Sequence, residues 1–227
     1  MTTYVLVHGA WHGGWAWERV TPLLTATGAH VVAPDLTHDR DVGLADHVAE
    51  VVAAVDAVAD PDLVLVGHSY AGLVVRAAAD RRPDRVAHLV LVDGWAGPDG
   101  SSLADLAPDW FTERVTAAAG PDGLVPPPPP ASYGVTDPGD ADWLGRRLRT
   151  HPLRTFTEPT RLTGAVDRVP GTGVHCLPEA FPFARFATDL GYRTVPLEAA
   201  HDVPLTDPRA VADVLLAVGS REAPTLG

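Results

Sequence analysis

No lysine occurs anywhere in this 227-residue chain, so every side-chain cation other than histidine is an arginine. That excludes a Schiff-base mechanism, a Walker-type phosphate loop and the Tyr–Lys pair of short-chain reductases. Cysteine is almost as scarce. Cys176 stands alone, which rules out an intramolecular disulfide and any cysteine-based zinc site. No apolar run approaches the roughly eighteen residues a transmembrane helix needs. The chain enters an apolar strand at Tyr4-Val5-Leu6-Val7 with no signal-peptide pattern before it, so a cytoplasmic protein without membrane contact is expected. Basic charge is lacking as well. The 17 basic against 29 acidic residues leave a formal net charge of −12, which argues against a nucleic-acid partner, whose affinity rests on clustered cations. Internal repeats are absent too.

What is present is a globular composition. Hydrophobic residues make up 46% and charged residues 20%, enough for a sizeable core, and the length suits one α/β domain with an insertion. The chain is organised around Val64-Leu65-Val66-Gly67-His68-Ser69-Tyr70-Ala71-Gly72. An apolar, β-branched run ends at Gly67, a single hydroxyl residue follows, and small residues lead into the helix-like Leu73–Ala79. This is the pattern of a buried strand turning sharply into a helix with Ser69 at the apex, where the helix N-terminus favours developing negative charge. An ordinary crossover turn with a capping serine has the same local pattern. Ala71 stands where the usual G-x-S-x-G motif has its second glycine.

Around it, strands alternate with helices. Tyr4–Val7 runs into the glycine-rich His8-Gly9-Ala10-Trp11-His12-Gly13-Gly14, followed by a helix expected over about Trp15–Thr27. Val31–Ala33 is a second strand. Leu44, Val48, Val51, Val52 and Val55 have helical spacing, so an amphipathic helix spans Leu44–Ala59. Leu63–Val66 and Val86–Val92 are strands, with a helix over Ala71–Arg81 between them and Asp93 at the last strand's carboxyl end. Nearly all-apolar strands alternating with helices indicate an α/β fold with a mostly parallel, doubly wound sheet covered on both faces. From 94 to 162 the alternation lapses into turns, short helices near Trp110–Ala119 and Asp142–Arg149, and the stiff run Pro126–Pro130. That stretch is expected to be a small lid inserted into a body formed by 1–93 and 163–218. Strands at Thr172–Cys176 and Arg193–Leu197, helices over Phe181–Leu190 and Asp207–Val218, and a disordered tail over 219–227 complete the expectation.

The V-L-V-H-G-A-W-H-G-G-W-A-W start, the G-H-S-Y-A-G turn and a late His201-Asp202 after a strand together resemble the α/β-hydrolase superfamily, most closely the plant methyl-ester esterase and hydroxynitrile lyase branch and its bacterial relatives. The resemblance implies Ser69 as nucleophile and His201 as its base, since a serine hydroxyl attacks effectively only when an imidazole takes its proton. It implies an oxyanion hole from the backbone N–H groups of Ala10 and Tyr70, with His8 and His68 as supports behind the site. The branch takes its acid from a Cys-Thr-x-Asp pattern after the penultimate strand. Here the chain reads Cys176-Leu177-Pro178-Glu179, so Glu179 is the first candidate, with Asp93 as the alternative. Trp11, His12, Trp95 and Trp110 are expected to face the substrate pocket.

Three other functions compete. Gly9, Gly13 and Gly14 with Asp35 imitate a dinucleotide site, but Trp11 and Trp15 fill the loop. A lyase of this branch needs a lysine beside its base and a threonine in the first loop, where this chain has Asp202 and Gly9. A non-hydrolytic use of the same fold, as a cyclase or lyase on a biosynthetic intermediate or as a small-molecule receptor, is the principal alternative. The expected function is a serine hydrolase of small to medium hydrophobic esters, needing no cofactor and no metal, working as a monomer or homodimer on a small-molecule substrate.

Overall fold

The computed structural model describes residues 2–61 and 63–220. Six strands form one wholly parallel sheet: β1 (Thr3–Val7), β2 (His30–Val32), β3 (Leu63–His68), β4 (Val86–Val92), β7 (Gly171–Cys176) and β8 (Arg193–Leu197), in the order β2-β1-β3-β4-β7-β8. A separate antiparallel pair joins β5 (Leu124–Val125) to β6 (His151–Pro152). The helices are α1 (Thr21–Thr25), α2 (Leu44–Ala57), α3 (Ala71–Arg81), α4 (Leu103–Leu106), α5 (Asp109–Ala118), α6 (Pro138–Gly145), α7 (Arg154–Thr157), α8 (Phe183–Asp189), α9 (Val203–Thr206) and α10 (Pro208–Gly219).

The continuous apolar strands follow from burial on both faces. Side chains alternate along a strand, so Val5, Val7, Leu63, Leu65, Leu89 and Leu91 enter one core with α2 and α3. Tyr4, Leu6, Val64, Val66, Val90 and Val92 enter the other with Leu24 of α1 and Val211 and Leu215 of α10. The chain leaves β1 towards β2 on one side and then builds β3, β4, β7 and β8 on the other. The reversal puts a crevice between the carboxyl ends of β1 and β3, where open α/β sheets bind their ligands.

Most expected elements lie within two residues of the observed ones, but three differ. The helix expected over 15–27 is instead a 3-10 turn at Gly14–Trp17 and the short α1, with Pro22 in its first turn. Proline starts a helix readily and is costly inside one, so one apolar pattern covers two pieces. The helix expected at 142–149 is α6, which begins earlier because Asp137 caps it through the Asp140 N–H and Pro138 occupies its first position. Of the expected disordered tail, Gly219 is the last residue of α10; positions 221–227 lie outside the described residues.

Candidate active site

Ser69 directly follows β3 in the left-handed region, at φ 54°. The turn is held on both sides. The Ser69 N–H donates to the Val92 carbonyl, while the Ser69 carbonyl accepts from the Gly72 and Trp95 N–H groups, each at 3.0 Å. Close approach explains the small residues. A Cβ on Gly67 would sit 2.7 Å from the Ala71 carbonyl oxygen, and one on Gly72 would collide with the Trp95 carbonyl. The serine is therefore presented above the sheet edge at the start of α3.

His201, between β8 and α9, reaches this serine. Its Nε2 lies 3.0 Å from Ser69 Oγ and its Nδ1 2.7 Å from Asp93 Oδ2. Asp93 is buried, follows β4 at φ 45°, and accepts the Cys176 N–H on Oδ1 at 2.8 Å. Its backbone N–H donates to Val174. Both carboxylate oxygens are thereby engaged. Glu179, the first-choice acid, is elsewhere: it is exposed, and its Oε1 accepts the Ala184 N–H in the first turn of α8. A carboxylate at that place satisfies one of the helix's unpaired donors. The carboxylate against His201 is the alternative, Asp93.

The loop after β1 closes over the serine. A Cβ on Gly9 would lie 3.0 Å from Ser69 Cβ, and Trp11 adopts φ 65°, pinned by its indole N–H to the Val125 carbonyl at 3.1 Å. Among the described residues, neither the Ala10 nor the Tyr70 N–H has an acceptor within the protein. His8 is buried between the Gly9 carbonyl and the Leu36 N–H, and burial pulls its pKa down to about 3. His68 donates from Nε2 to the His201 carbonyl at 2.9 Å, and burial, followed by the nearby His201, lowers its pKa to about 4. Both rings are neutral braces at neutral pH.

Above Ser69 and His201 opens a cavity of about 570 Å³. Trp11, His12, Trp95 and Trp110 all line it, together with Phe111, Phe181, Tyr133 and the prolines 126–129. The proline run thus forms cavity wall, and most of the wall is drawn from the segment between β4 and β7. No carboxylate lines the cavity among the described residues, in a chain of net charge −12. Asp35, the residue a dinucleotide site would need, is occupied by Arg149 at 2.7 Å and the Gly14 N–H at 2.9 Å. Three features were not foreseen. His12 pairs with Asp202 at 3.2 Å; Phe183 stacks on the His201 ring; and buried His151 sits against Tyr70, Trp11 and Phe156. His12–Asp202 and the contacts of His151 with Tyr70 and Trp11 join residues far apart in the chain, and only the adjacency of Asp202 to His201 offered a signal.

Comparison with known proteins identifies the family and the fold. The model of a family described as the alpha/beta hydrolase family matches residues 4–214. The carbendazim hydrolyzing esterase of Nocardioides sp. (strain SG-4G) is 32% identical over 244 residues, covering 96% of this chain and 100% of that protein. Salicylic acid-binding protein 2 of Nicotiana tabacum is 30% identical over 176 residues, 73% of this chain and 65% of its own length. Among solved structures, an extracellular alpha/beta-hydrolase from a Paenibacillus species superimposes with a TM-score of 0.85 at 22% identity, covering 98% and 100% of the two chains, a likeness of fold.

Proposed function

The chain belongs to the α/β hydrolase family, and we propose that it is a carboxylic-ester hydrolase working through an acyl-enzyme on Ser69. The observation that carries this is the connected line Asp93 Oδ2–His201 Nδ1 at 2.7 Å and His201 Nε2–Ser69 Oγ at 3.0 Å, set at the base of an aromatic cavity. Relatives named as esterases support the reaction class.

His201 takes the Ser69 proton on Nε2 as Oγ attacks the ester carbonyl, and Asp93 holds Nδ1–H and stabilises the imidazolium that forms. The carbonyl oxygen becomes an oxyanion between the Ala10 and Tyr70 N–H groups, whose lack of internal acceptors suits that use. The tetrahedral intermediate collapses, breaking the bond to the alcohol, which leaves with the proton from His201 Nε2. Water, deprotonated by the same imidazole, then attacks the acyl-enzyme and releases the acid and free Ser69. The segment 94–162 serves as the lid, and its tryptophans and phenylalanines select small to medium hydrophobic esters. The enzyme works in the cytoplasm as a monomer or homodimer; the buried free thiol of Cys176 suits a reducing compartment. Among the described residues no helix is long and apolar enough to cross a membrane.

A short-chain nitrophenyl ester assay tests this, with phosphonate labelling read by mass spectrometry. Ser69→Ala should lower kcat by a factor on the order of 10³ to 10⁶ and abolish the adduct. A folded wild type with neither turnover nor a Ser69 adduct would overturn the hydrolase and favour a non-hydrolytic use of the fold.

A further inference from the structure

Two buried side chains at the site play no part in the acyl transfer described above. His12 and Asp202 are each about 1% exposed. His12 Nδ1 lies 2.8 Å from the Ala10 carbonyl oxygen and its Nε2 lies 3.2 Å from Asp202 Oδ2. A carbonyl only accepts, so Nδ1 carries a proton. A neutral ring with that single proton would aim its Nε2 lone pair at a carboxylate oxygen. The pair must therefore hold one more proton. An imidazole binds it more tightly than a carboxylate by more than two pKa units in model peptides.

We propose that His12 is a permanent imidazolium, held by Asp202 in a buried ion pair that ties the oxyanion loop to the loop carrying the base. The role in turnover rests on the hydrolase reading; the charge state does not. Asp202 is anchored for this task. Its N–H donates to the Tyr133 carbonyl at 3.2 Å, and its own carbonyl accepts from Leu205 and Thr206. His12 in turn holds the Ala10 carbonyl, one residue before strained Trp11. One pair thus fixes the β1 loop against the segment after β8, across 190 positions of chain. It also keeps a positive charge on the wall shared by Gly9 and Ala10, beside the place where negative charge develops.

The surroundings support this charge state. Burial pulls the His12 pKa down, but the Asp202 charge and hydrogen bond more than offset it and hold it above the ordinary value. Burial likewise pushes Asp202 up, and His12 brings it below the ordinary carboxylate range. The other titratable groups around His12 stay uncharged. Burial lowers His68 to about 4, His8 to about 3 and His151 well below its usual value, and it raises Tyr133. Arg149 faces the His12 carbonyl, not its ring.

Nitrogen NMR of the histidine rings in the wild-type protein, with His12 assigned by its loss in His12→Asn, reads the charge state directly. Both His12 nitrogens should be protonated at neutral pH and should not titrate where the kcat/KM profile bends. A singly protonated His12 ring overturns the proposal whether or not any ester is hydrolysed. Asp202→Asn should lower kcat about tenfold or more while KM moves less than about threefold, with phosphonate still labelling Ser69 and Asp202→Glu restoring part of the rate. An Asp202→Asn enzyme with kcat within about twofold of wild type also overturns it. If that variant does not fold, the wild-type ring spectrum decides alone.

Discussion

At the scale of single residues the site turns on which carboxylate serves His201. Asp93 gives one oxygen to the Cys176 N–H and the other to His201 Nδ1, and its own side chain is buried. Asp93→Asn keeps the shape but offers an amide in place of the carboxylate. The imidazolium loses its counter-charge, and an amide NH₂ turned to the ring selects the wrong tautomer. Its kcat should fall on the order of 10³- to 10⁴-fold with KM nearly constant. Glu179→Gln retains an oxygen for the Ala184 N–H at an exposed helix start and should leave kcat within about twofold of wild type. Steady-state kinetics on one nitrophenyl ester compares the two; a larger loss from Glu179→Gln would return the acid to that position. The sequence pointed to both carboxylates and ranked Glu179 ahead of Asp93, whereas the structure sets Asp93 against His201; local pattern could not separate the two, for a physical reason. β4 and β7 are neighbours, with Val92 paired to Val174, so an acid after either strand reaches the same imidazole. Ser69 and His201 were legible because each follows a recognisable strand. His12–Asp202 was not, because a pair 190 residues apart leaves no local pattern.

At the scale of elements, three of the described residues other than glycine adopt positive φ: Trp11, Ser69 and Asp93. They follow β1, β3 and β4 in turn, and they present the β1 loop, the Ser69 hydroxyl and the Asp93 carboxylate around His201. Backbone strain of this kind persists only where the surroundings over-determine it, and the packing of α3 against the Trp95 turn does that for Ser69. Gly72→Ala tests the packing. Alanine is favoured over glycine in a helix interior by about 1 kcal/mol, yet its Cβ would meet the Trp95 carbonyl and lie 3.0 Å from the Trp95 nitrogen, both backbone atoms. The clash should win. We expect a net destabilisation of about 1–3 kcal/mol by urea unfolding, and a reduced kcat because the Ser69 carbonyl is held by the Gly72 and Trp95 N–H groups. Equal or greater stability in the variant would show that α3 has room to move. Helix α3 and strand β4 were legible to the residue because nothing interrupts their periodicity. The stretches around Pro22 and Pro138 were not: an apolar period runs through Pro22, which sits in the first turn of α1, and α6 starts at Pro138, ahead of the residues whose spacing marked it.

At the scale of the whole molecule, the core behind the candidate site holds fully buried histidines, which makes the fold itself sensitive to acid. His8, His68 and His151 are all within 1% of full burial. Burial lowers the first two to about 3 and about 4 and the third well below its ordinary value. In the unfolded chain each titrates near 6.5. Between 6.5 and the folded values the unfolded state binds more protons, so stability falls as pH falls. Each such histidine contributes a slope of about 1.4 kcal/mol per pH unit, so His8 and His68 together remove about 3 kcal/mol by pH 5.5, and His151 acts in the same direction. That is a large part of an ordinary domain's stability of about 5–15 kcal/mol. His12 has the opposite sign. Its pKa is raised by Asp202 despite burial, so its contribution is fully present below 6.5 and fades only as pH rises through the folded value. It therefore cannot offset the acid loss. Urea midpoints measured at half-unit steps from pH 7.5 to pH 5 should drop steeply below about 6.5, and the protein should unfold in mild acid before its carboxylates are protonated. A midpoint that stays flat across that interval would mean that these rings take up protons in the folded state, and the neutral braces assigned to His8 and His68 behind Ser69 would have to be abandoned with it.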